Sequence, residues 1–383
     1  MKKAVMYGAG NIGRGFIGKV FSDSGYEVCF LDIDEKVIEA FNKEHEYKVK
    51  IVTDDQEKIE NVRNVYAMNA NIDEAIKAIT ECDIMATAVG VNILLYIIKN
   101  IANGVKARVK QGGAPLNVIL AENQIDVDKM MHGWIYNELN EKEQAWADSN
   151  LGLVEASIGR MVPPLSLEEK ANDPLLIAVE PYAELPVDSL AFKGGIPDLV
   201  GLKPFTPFSF YIKRKLFLHN MGHAICAYLG WEKGYEYISD AIRDDDIHKV
   251  VSAAMSETVA ALAKEYKDIP FEEIEANRID LLQRFRNTAL KDTVARVAGD
   301  PMRKLRSNDR LVGAALYCIE QNVGCDTIVA GIVSALKYDN RNDIKAMELQ
   351  GLISLHGIDY VMDNCLGLTG SEPLKMKIKK ARY

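Results

Sequence analysis

The segment "KAVMYGAGNIGRGF", Lys3 to Phe16, constrains the fold more than any other part of this 383-residue chain. "KAVMY" reads as a short buried strand. Gly8, Gly10 and Gly13 follow it in the spacing GxGxxG and open a helical pattern that Gly25 closes. The spacing alone is a weak signal, but between a strand and a helix each glycine has a purpose. One makes a tight turn, one lets the backbone approach a pyrophosphate, and one allows close packing of helix on sheet, with the helix amides facing the phosphates. A second strand, "EVCFLD", ends at Asp32, about twenty residues downstream, where a carboxylate accepts from ribose hydroxyls. A simple helix cap is the competing role for Asp32. Asp34 and Glu35 follow with no arginine, so a 2′-phosphate meets uncompensated negative charge and NAD is expected rather than NADP.

The alternation continues. "YKVKIV", "RNVYAM", "DIMATAV" and "LNVILA" read as further strands separated mostly by helical patterns, which predicts a mostly parallel sheet covered on both faces. "VEASIGRMVPP" and "LLIAVEPYAELPVD" add strand-like pieces. A Pro and Gly cluster at 193–207 then breaks the pattern. From Phe208 onward the texture is helical, as in "FSFYIKRKLFLHNMGHAICAYLG" and "IHKVVSAAMSETVAALAKEY". The expected fold class is therefore α/β: a Rossmann-type dinucleotide-binding domain over 1–195, then a mostly α-helical substrate domain over 196–383.

Composition narrows the function classes. A net charge of −9 argues against nucleic-acid or anionic-membrane partners. The basic "KMKIKKARY" at the C-terminus is expected to be a solvated tail. Cys29, Cys82, Cys226, Cys318, Cys325 and Cys365 are scattered and form no CxxC pair, as expected of reduced thiols in a cytoplasmic protein. The apolar part of the N-terminus is too short for a signal peptide, and no apolar run is long enough for a bilayer. The expected partner is a small-molecule substrate, with the chain acting as a monomer or small homo-oligomer.

"KRKLFLHNMGHA" (Lys213 to Ala224) interrupts an apolar helix with polar groups. On a wheel of about 100° per residue, with Lys215 at zero, His219 falls near 40°, His223 near 80° and Asn220 near 140°. One side thus offers an amine, an amide and an imidazole. A lysine serves as general base when burial and neighbouring positive charge lower its pKa, an amide steadies a developing alkoxide, and a histidine orients a hydroxyl. The wheel does not rank His219 against His223. Their i, i+4 spacing raises a zinc reading, but there is no adjacent Glu of an HExxH site and no third ligand cluster, so no metal is expected.

"GAGNIGRGFIG", "TAVG", "ENQ", "GRMVPP", the lysine segment and "LKDTVARVAGDPMRKLRSNDRL" together resemble the polyol-specific long-chain dehydrogenases over nearly the whole chain. The resemblance implies a catalytic lysine followed by asparagine at five and histidine at eight residues: Lys215, Asn220 and His223. It adds Asn123, in "LAENQ", which with Asn220 would hold the substrate oxygen. At the dinucleotide it implies Gly8, Gly10, Asn11, Ile12 and Gly13, with Asp32; the stretch Thr87, Ala88, Val89 and Gly90 ends a later strand and is expected to approach the cofactor by backbone, with a plain turn as the competing reading. Val91 departs from the proline of phosphate-specific members, which touches loop shape more than chemistry.

The implied reaction is metal-independent hydride transfer between D-mannitol 1-phosphate with NAD and D-fructose 6-phosphate with NADH. Arg303, Lys304 and Arg310 are the expected phosphate contacts, Arg303 foremost, because guanidinium matches phosphate oxygens in a fork. A solvated basic patch with Arg310 paired to Asp309 is the competing reading. The rival activities are an unphosphorylated polyol or hexuronate dehydrogenase and, from another class, a protein that senses NADH without turnover. A sensor has no use for a base beside the nicotinamide.

Overall fold

In the computed structural model, which describes residues 1–382, the chain divides into two compact units, Met1–Ser209 and Phe210–Tyr383. The strands of the first are β1 (Lys2–Tyr7), β2 (Tyr26–Asp32), β3 (Glu46–Val52), β4 (Glu57–Arg63), β5 (Val65–Asn69), β6 (Ile84–Thr87), β7 (Leu116–Leu120), β8 (Leu151–Glu155), β9 (Ile177–Val179), β10 (Leu185–Asp188) and β11 (Leu202–Phe205). Six of them form one parallel sheet in the order β5-β2-β1-β6-β7-β8. Counted along that sheet, this is the doubly wound 3-2-1-4-5-6 arrangement, which reverses direction between β1 and β6.

Successive side chains of β1 point to opposite faces, so Ala4 and Met6 join one core while Val5 and Tyr7 join the other. One face holds an aromatic cluster in which Phe30 stacks on Phe41 at 4.6 Å, with Tyr47 edge-on to both. The other packs Leu94, Ile98 and Ile101 of the helix Val91–Gln111 onto Met85 and Val118.

Two expectations are corrected here. "YKVKIV" is a strand, β3, but it lies outside the parallel sheet: it pairs antiparallel with β4 and parallel with β9. Of "VEASIGRMVPP", only the end of β8 and a single bridge at Ala156 are strand-like. The remainder is held by Arg160, a buried guanidinium that donates to the carbonyls of Glu180 and Gly15. The two compact units meet at 209/210, because β11 pairs in parallel with β10 and the Val200 amide donates to Ser24 Oγ, which keeps the stretch up to β11 with the first unit.

The second unit is built around the helix Met221–Glu232, whose residues are mostly buried. Small residues permit close approach of its neighbours: a Cβ on Gly331 would stand 2.4 Å from Ile225 Cγ1, and one on Gly222 would stand 2.7 Å from Met255 Sδ. The basic C-terminal segment is no solvated tail. Glu372–Arg382 is a helix that buries Leu374 and Ile378 and pairs Lys375 with Asp363, Lys377 with Asp326 and Lys379 with Asp359. All six cysteines are free. Among the described residues, no helix is long and apolar enough to cross a membrane.

Candidate functional site

In the first unit, the turn after β1 lies at the reversal point of the sheet, where open α/β sheets bind ligands. Gly8 has φ +99°, and a Cβ there would stand 2.7 Å from the Ala88 carbonyl oxygen. Only glycine accommodates both the backbone angle and the neighbouring loop after β6. A Cβ on Gly13 would fall 2.0 Å from the Gly8 carbonyl oxygen, which fixes how closely the helix approaches the turn. Gly10 differs, since a Cβ there would meet nothing within 4 Å. The bare backbone at Gly10 therefore fronts open space. The amide of Arg14 donates to the Gly10 carbonyl, so the amides of Asn11, Ile12 and Gly13 precede the helical ladder and point outward. This combination fits a pyrophosphate.

Asp32 is not the helix cap. Asp34 caps the helix Glu35–Glu44 by accepting from the Lys36 amide. Asp32 instead ties the end of β2 to the glycine turn: Oδ2 accepts from the Ala9 amide at 2.7 Å, and Oδ1 accepts from the Ile33 and Asp34 amides. Each carboxylate oxygen offers more than one lone-pair direction, which leaves capacity for a diol. Arg14, on the adjoining helix, feels the charge of Asp32 and Asp34 while its Nη1 donates to the Pro174 carbonyl.

The loop Thr87–Gly90 is clamped by a residue that sequence reasoning passed over. Glu122, 5 % exposed, accepts from the Val89 amide at 3.0 Å and the Gly90 amide at 2.9 Å. This carboxylate occupies two loop amides and anchors the chain just before Asn123. Thr87 is fully buried and its Oγ1 makes no hydrogen bond. Asn123 is exposed. The quoted "ENQ" contained Glu122, but nothing local marked it as a clamp.

In the second unit, Arg214–Asn220 is a π-helical stretch between the helices Ser209–Lys213 and Met221–Glu232. Such widened turns recur at functional sites. The wheel of the ordinary α-helix therefore does not hold across Lys215 and Asn220. The stretch separates three adjacent cations. Lys213 is ion-paired with Glu265 at 2.5 Å, and the Arg214 guanidinium lies 4.3 Å from the Tyr211 ring centroid. Lys215 is half-buried, and desolvation, reinforced by the Arg310 charge, pulls its ammonium down to about 8.

The two histidines occupy different environments. His219 is held well below its usual range, first by burial and then by Arg284, His223, Lys215 and Arg310, so it is neutral. His223 stacks on Phe285 at 4.9 Å, and its Nε2 approaches Asp292 Oδ2 to 3.0 Å. At this separation the imidazole faces the carboxylate without a well-aligned hydrogen bond, so Asp292 Oδ2 keeps acceptor capacity. Asp292 is held from behind by Arg296, whose Nε donates to Oδ1 at 2.9 Å. Burial opposes the Asp292 charge, yet the His223 and Arg296 partners hold its carboxyl below the usual range. Asp292 lies within the quoted "LKDTV", but its pairing with His223 is a tertiary contact.

The basic segment splits in the same way. Arg303 has a side chain 47 % exposed and donates from Nε to Asp300 Oδ2 at 3.3 Å. Arg310 donates from Nε to Asp309 Oδ1 at 2.8 Å, the pairing expected of a plain basic patch, and its side chain is 13 % exposed. Lys304 is 5 % exposed, and desolvation, then Arg310 and Arg303, pull its ammonium to about 8. The Leu311 amide donates to the Lys304 carbonyl, which brings the two ends of the segment together. Arg310 thus acts electrostatically on Lys215, Lys304 and His219 at once, whereas Arg303 acts on Lys304 alone of these three.

Comparison with known proteins agrees with this architecture. Residues 2–201 match the model of the mannitol dehydrogenase Rossmann domain, and residues 208–355 match that of the mannitol dehydrogenase C-terminal domain. Among solved structures, mannitol 2-dehydrogenase from Pseudomonas fluorescens, in a ternary complex with NAD and D-mannitol, is similar at 16% identity and a TM-score of 0.73. The match covers 100% of this chain and 91% of that one. A D-sorbitol dehydrogenase in substrate-free form is similar at 17% identity and a TM-score of 0.78, covering 100% of this chain and 93% of the other. At such identities the structural likeness shows the fold alone. The two family models together span most of the sequence, and on that evidence the chain belongs to the mannitol dehydrogenase family.

Proposed function

We propose that this protein is an NAD-dependent dehydrogenase of the mannitol-1-phosphate 5-dehydrogenase type, interconverting D-mannitol 1-phosphate and D-fructose 6-phosphate. The observation that carries the proposal is that Arg310, brought towards Lys304 by the hydrogen bond from the Leu311 amide to the Lys304 carbonyl, acts electrostatically on both Lys215 and Lys304. A depressed amine suits proton transfer near neutral pH, and a buried cation beside a guanidinium suits a phosphate. Family membership supports the polyol half of the reading, and the open backbone at Gly10 with the carboxylate of Asp32 supports NAD.

NAD, when bound, would supply the hydride-transfer chemistry. Gly8, Gly10, Asn11, Ile12 and Gly13 would hold its pyrophosphate through backbone groups, Asp32 would hold the adenosine ribose, and the stretch Thr87, Ala88, Val89 and Gly90 would border it. During oxidation, neutral Lys215 takes the proton of the reacting hydroxyl, and in reduction the Lys215 ammonium returns it. Asn220 and Asn123 are assigned to the substrate oxygen. His223, oriented by Asp292, positions a neighbouring hydroxyl. Lys304 and Arg310 hold the phosphate, with Arg303 at the rim.

A second reading, an unphosphorylated polyol dehydrogenase, draws on the carboxylates already paired with Arg303 and Arg310, which reduce the charge left for a phosphate. The experiment that separates the two follows NADH absorbance with fructose 6-phosphate, fructose, fructuronate and tagaturonate as substrates. The proposal expects consumption with fructose 6-phosphate. Turnover confined to an unphosphorylated ketose or a hexuronate would replace it.

A further inference from the structure

Within the second unit, the helices Asp245–Glu265 and Phe271–Phe285 border a cavity of about 240 Å³ that shares no residue with the site above. Its lining includes His248, Ser252, Arg278, Leu282, Gln283 and Arg286, and none of the lining residues is acidic. In a chain of net charge −9, two guanidinium groups and an imidazole facing one cavity are out of keeping with the average surface.

The polar groups are unequally satisfied. Arg278 is fixed by Glu275, which receives Nε at 2.8 Å from outside the cavity, and by Ser252, which accepts from Nη1 at 2.7 Å. Arg286 Nε and His248 Nδ1 are buried and make no hydrogen bond. Each buried polar atom left so is a cost to the fold that a suitable partner would remove. The charges of Arg286 and Arg278 also act on His248: together with burial they lower its pKa, against a small opposing pull from Asp245. His248 stands in the first turn of its helix, whose N-terminal end favours negative charge. The volume is several times the ~30 Å³ share of one water, so it admits a tetrahedral oxyanion.

We propose that this cavity binds a phosphate-type oxyanion, either inorganic phosphate or the phosphate of a small monoester, with Arg286 and His248 as principal donors and Arg278 as a fixed positive charge. Oxygen atoms would satisfy the two buried nitrogens and offset the repulsion among the cations. The ligand class follows from fork-shaped guanidinium donors, which match phosphate oxygens.

The test uses the full-length protein labelled at histidine ¹³Cε1, with the His248 resonance assigned by its loss in His248→Gln. Inorganic phosphate and, in a second arm, glycerol phosphate are titrated against sodium chloride of equal ionic strength. The proposal expects a saturable shift of the His248 resonance with at least one phosphate species and a rise of its pKa by about one unit as the anion offsets its cationic neighbours. Arg286→Gln weakens the response about tenfold or more, while Lys304→Gln leaves it in place. The arm that saturates at lower concentration identifies the source. Shifts no larger than those from chloride, or a response that survives Arg286→Gln and disappears in Lys304→Gln, would overturn the proposal.

Discussion

His223 Nε2 stands 3.0 Å from Asp292 Oδ2, and the imidazole is stacked on Phe285. The carboxylate and the ring together fix the imidazole plane and favour the tautomer with hydrogen on Nε2, leaving Nδ1 for a substrate hydroxyl. Asp292→Asn keeps the size and loses the charge. We expect kcat to fall by up to about 10²-fold through misplacement of the hydroxyl, with the Kd for NADH unchanged. Steady-state kinetics with fluorescence titration of NADH checks this, and an unaltered kcat would remove the positioning role.

Lys215→Ala lowers kcat by roughly 10²-fold to 10⁴-fold, the usual range for a positioned acid or base. NADH binding survives, because the lysine is not assigned to the dinucleotide. Near-normal turnover at any pH would assign proton transfer to another group.

The pH dependence has a defined sign. Lys215 is pulled down to about 8 by burial and Arg310, and oxidation needs the neutral amine, so kcat for oxidation rises as pH passes through about 8. Reduction needs the ammonium and falls over the same interval. Arg310→Gln removes one of the two causes, so the oxidation profile moves to higher pH. A profile that stays in place after this substitution would separate Arg310 from Lys215.

Asp32→Ala narrows the preference for NADH over NADPH. The carboxylate repels a 2′-phosphate, and its loss leaves Arg14, which now feels the Asp32 charge, free to attract one. Comparing kcat/KM for the two cofactors tests this, and equal efficiencies in the unmodified protein would remove the argument.

Lys304→Met exchanges substrate binding for stability. The Lys304 ammonium is depressed from 10.5 to about 8 by burial and by Arg310 and Arg303, so keeping it charged in the folded state at neutral pH is unfavourable. The variant is expected to be more stable by about 1–3 kcal/mol at pH 7. The folded protein binds fewer protons than the unfolded chain between about 8 and 10.5, so the wild type regains stability across that interval and the difference shrinks. Denaturant melts at pH 7 and pH 10 measure it, and a destabilised variant at pH 7 would show that the ammonium is satisfied.

The parallel sheet was legible because buried strands alternating with helices leave a plain apolar rhythm, and the glycine turn because its angles exclude side chains. Strand β4, "EKIENVR", was not legible: it is mostly exposed, and Lys19 and Lys58 both reach Glu60, so charge pairing stands where apolar alternation would have marked it. The π-helical stretch at Lys215 is a change in hydrogen-bond register, which residue type does not encode. Lys215 stood out in the chain as a candidate base, whereas the choice of His223 over His219 came only with the family resemblance. Asp292 behind His223, Glu122 behind the Val89–Gly90 loop and the partition of Arg303 from Lys304 were not, because each depends on partners brought together only by folding.

The central claim is that the basic segment beside Lys215 holds a phosphate. Its most direct test is kcat/KM for fructose 6-phosphate against fructose, in the wild type and in Arg310→Ala. Loss of a buried charge contact costs about 2–5 kcal/mol, so the account predicts a strong wild-type preference for fructose 6-phosphate and a rise in its KM of at least about thirtyfold in the variant, with the KM for NADH spared. Equal efficiency with the two ketoses in the wild type would contradict it.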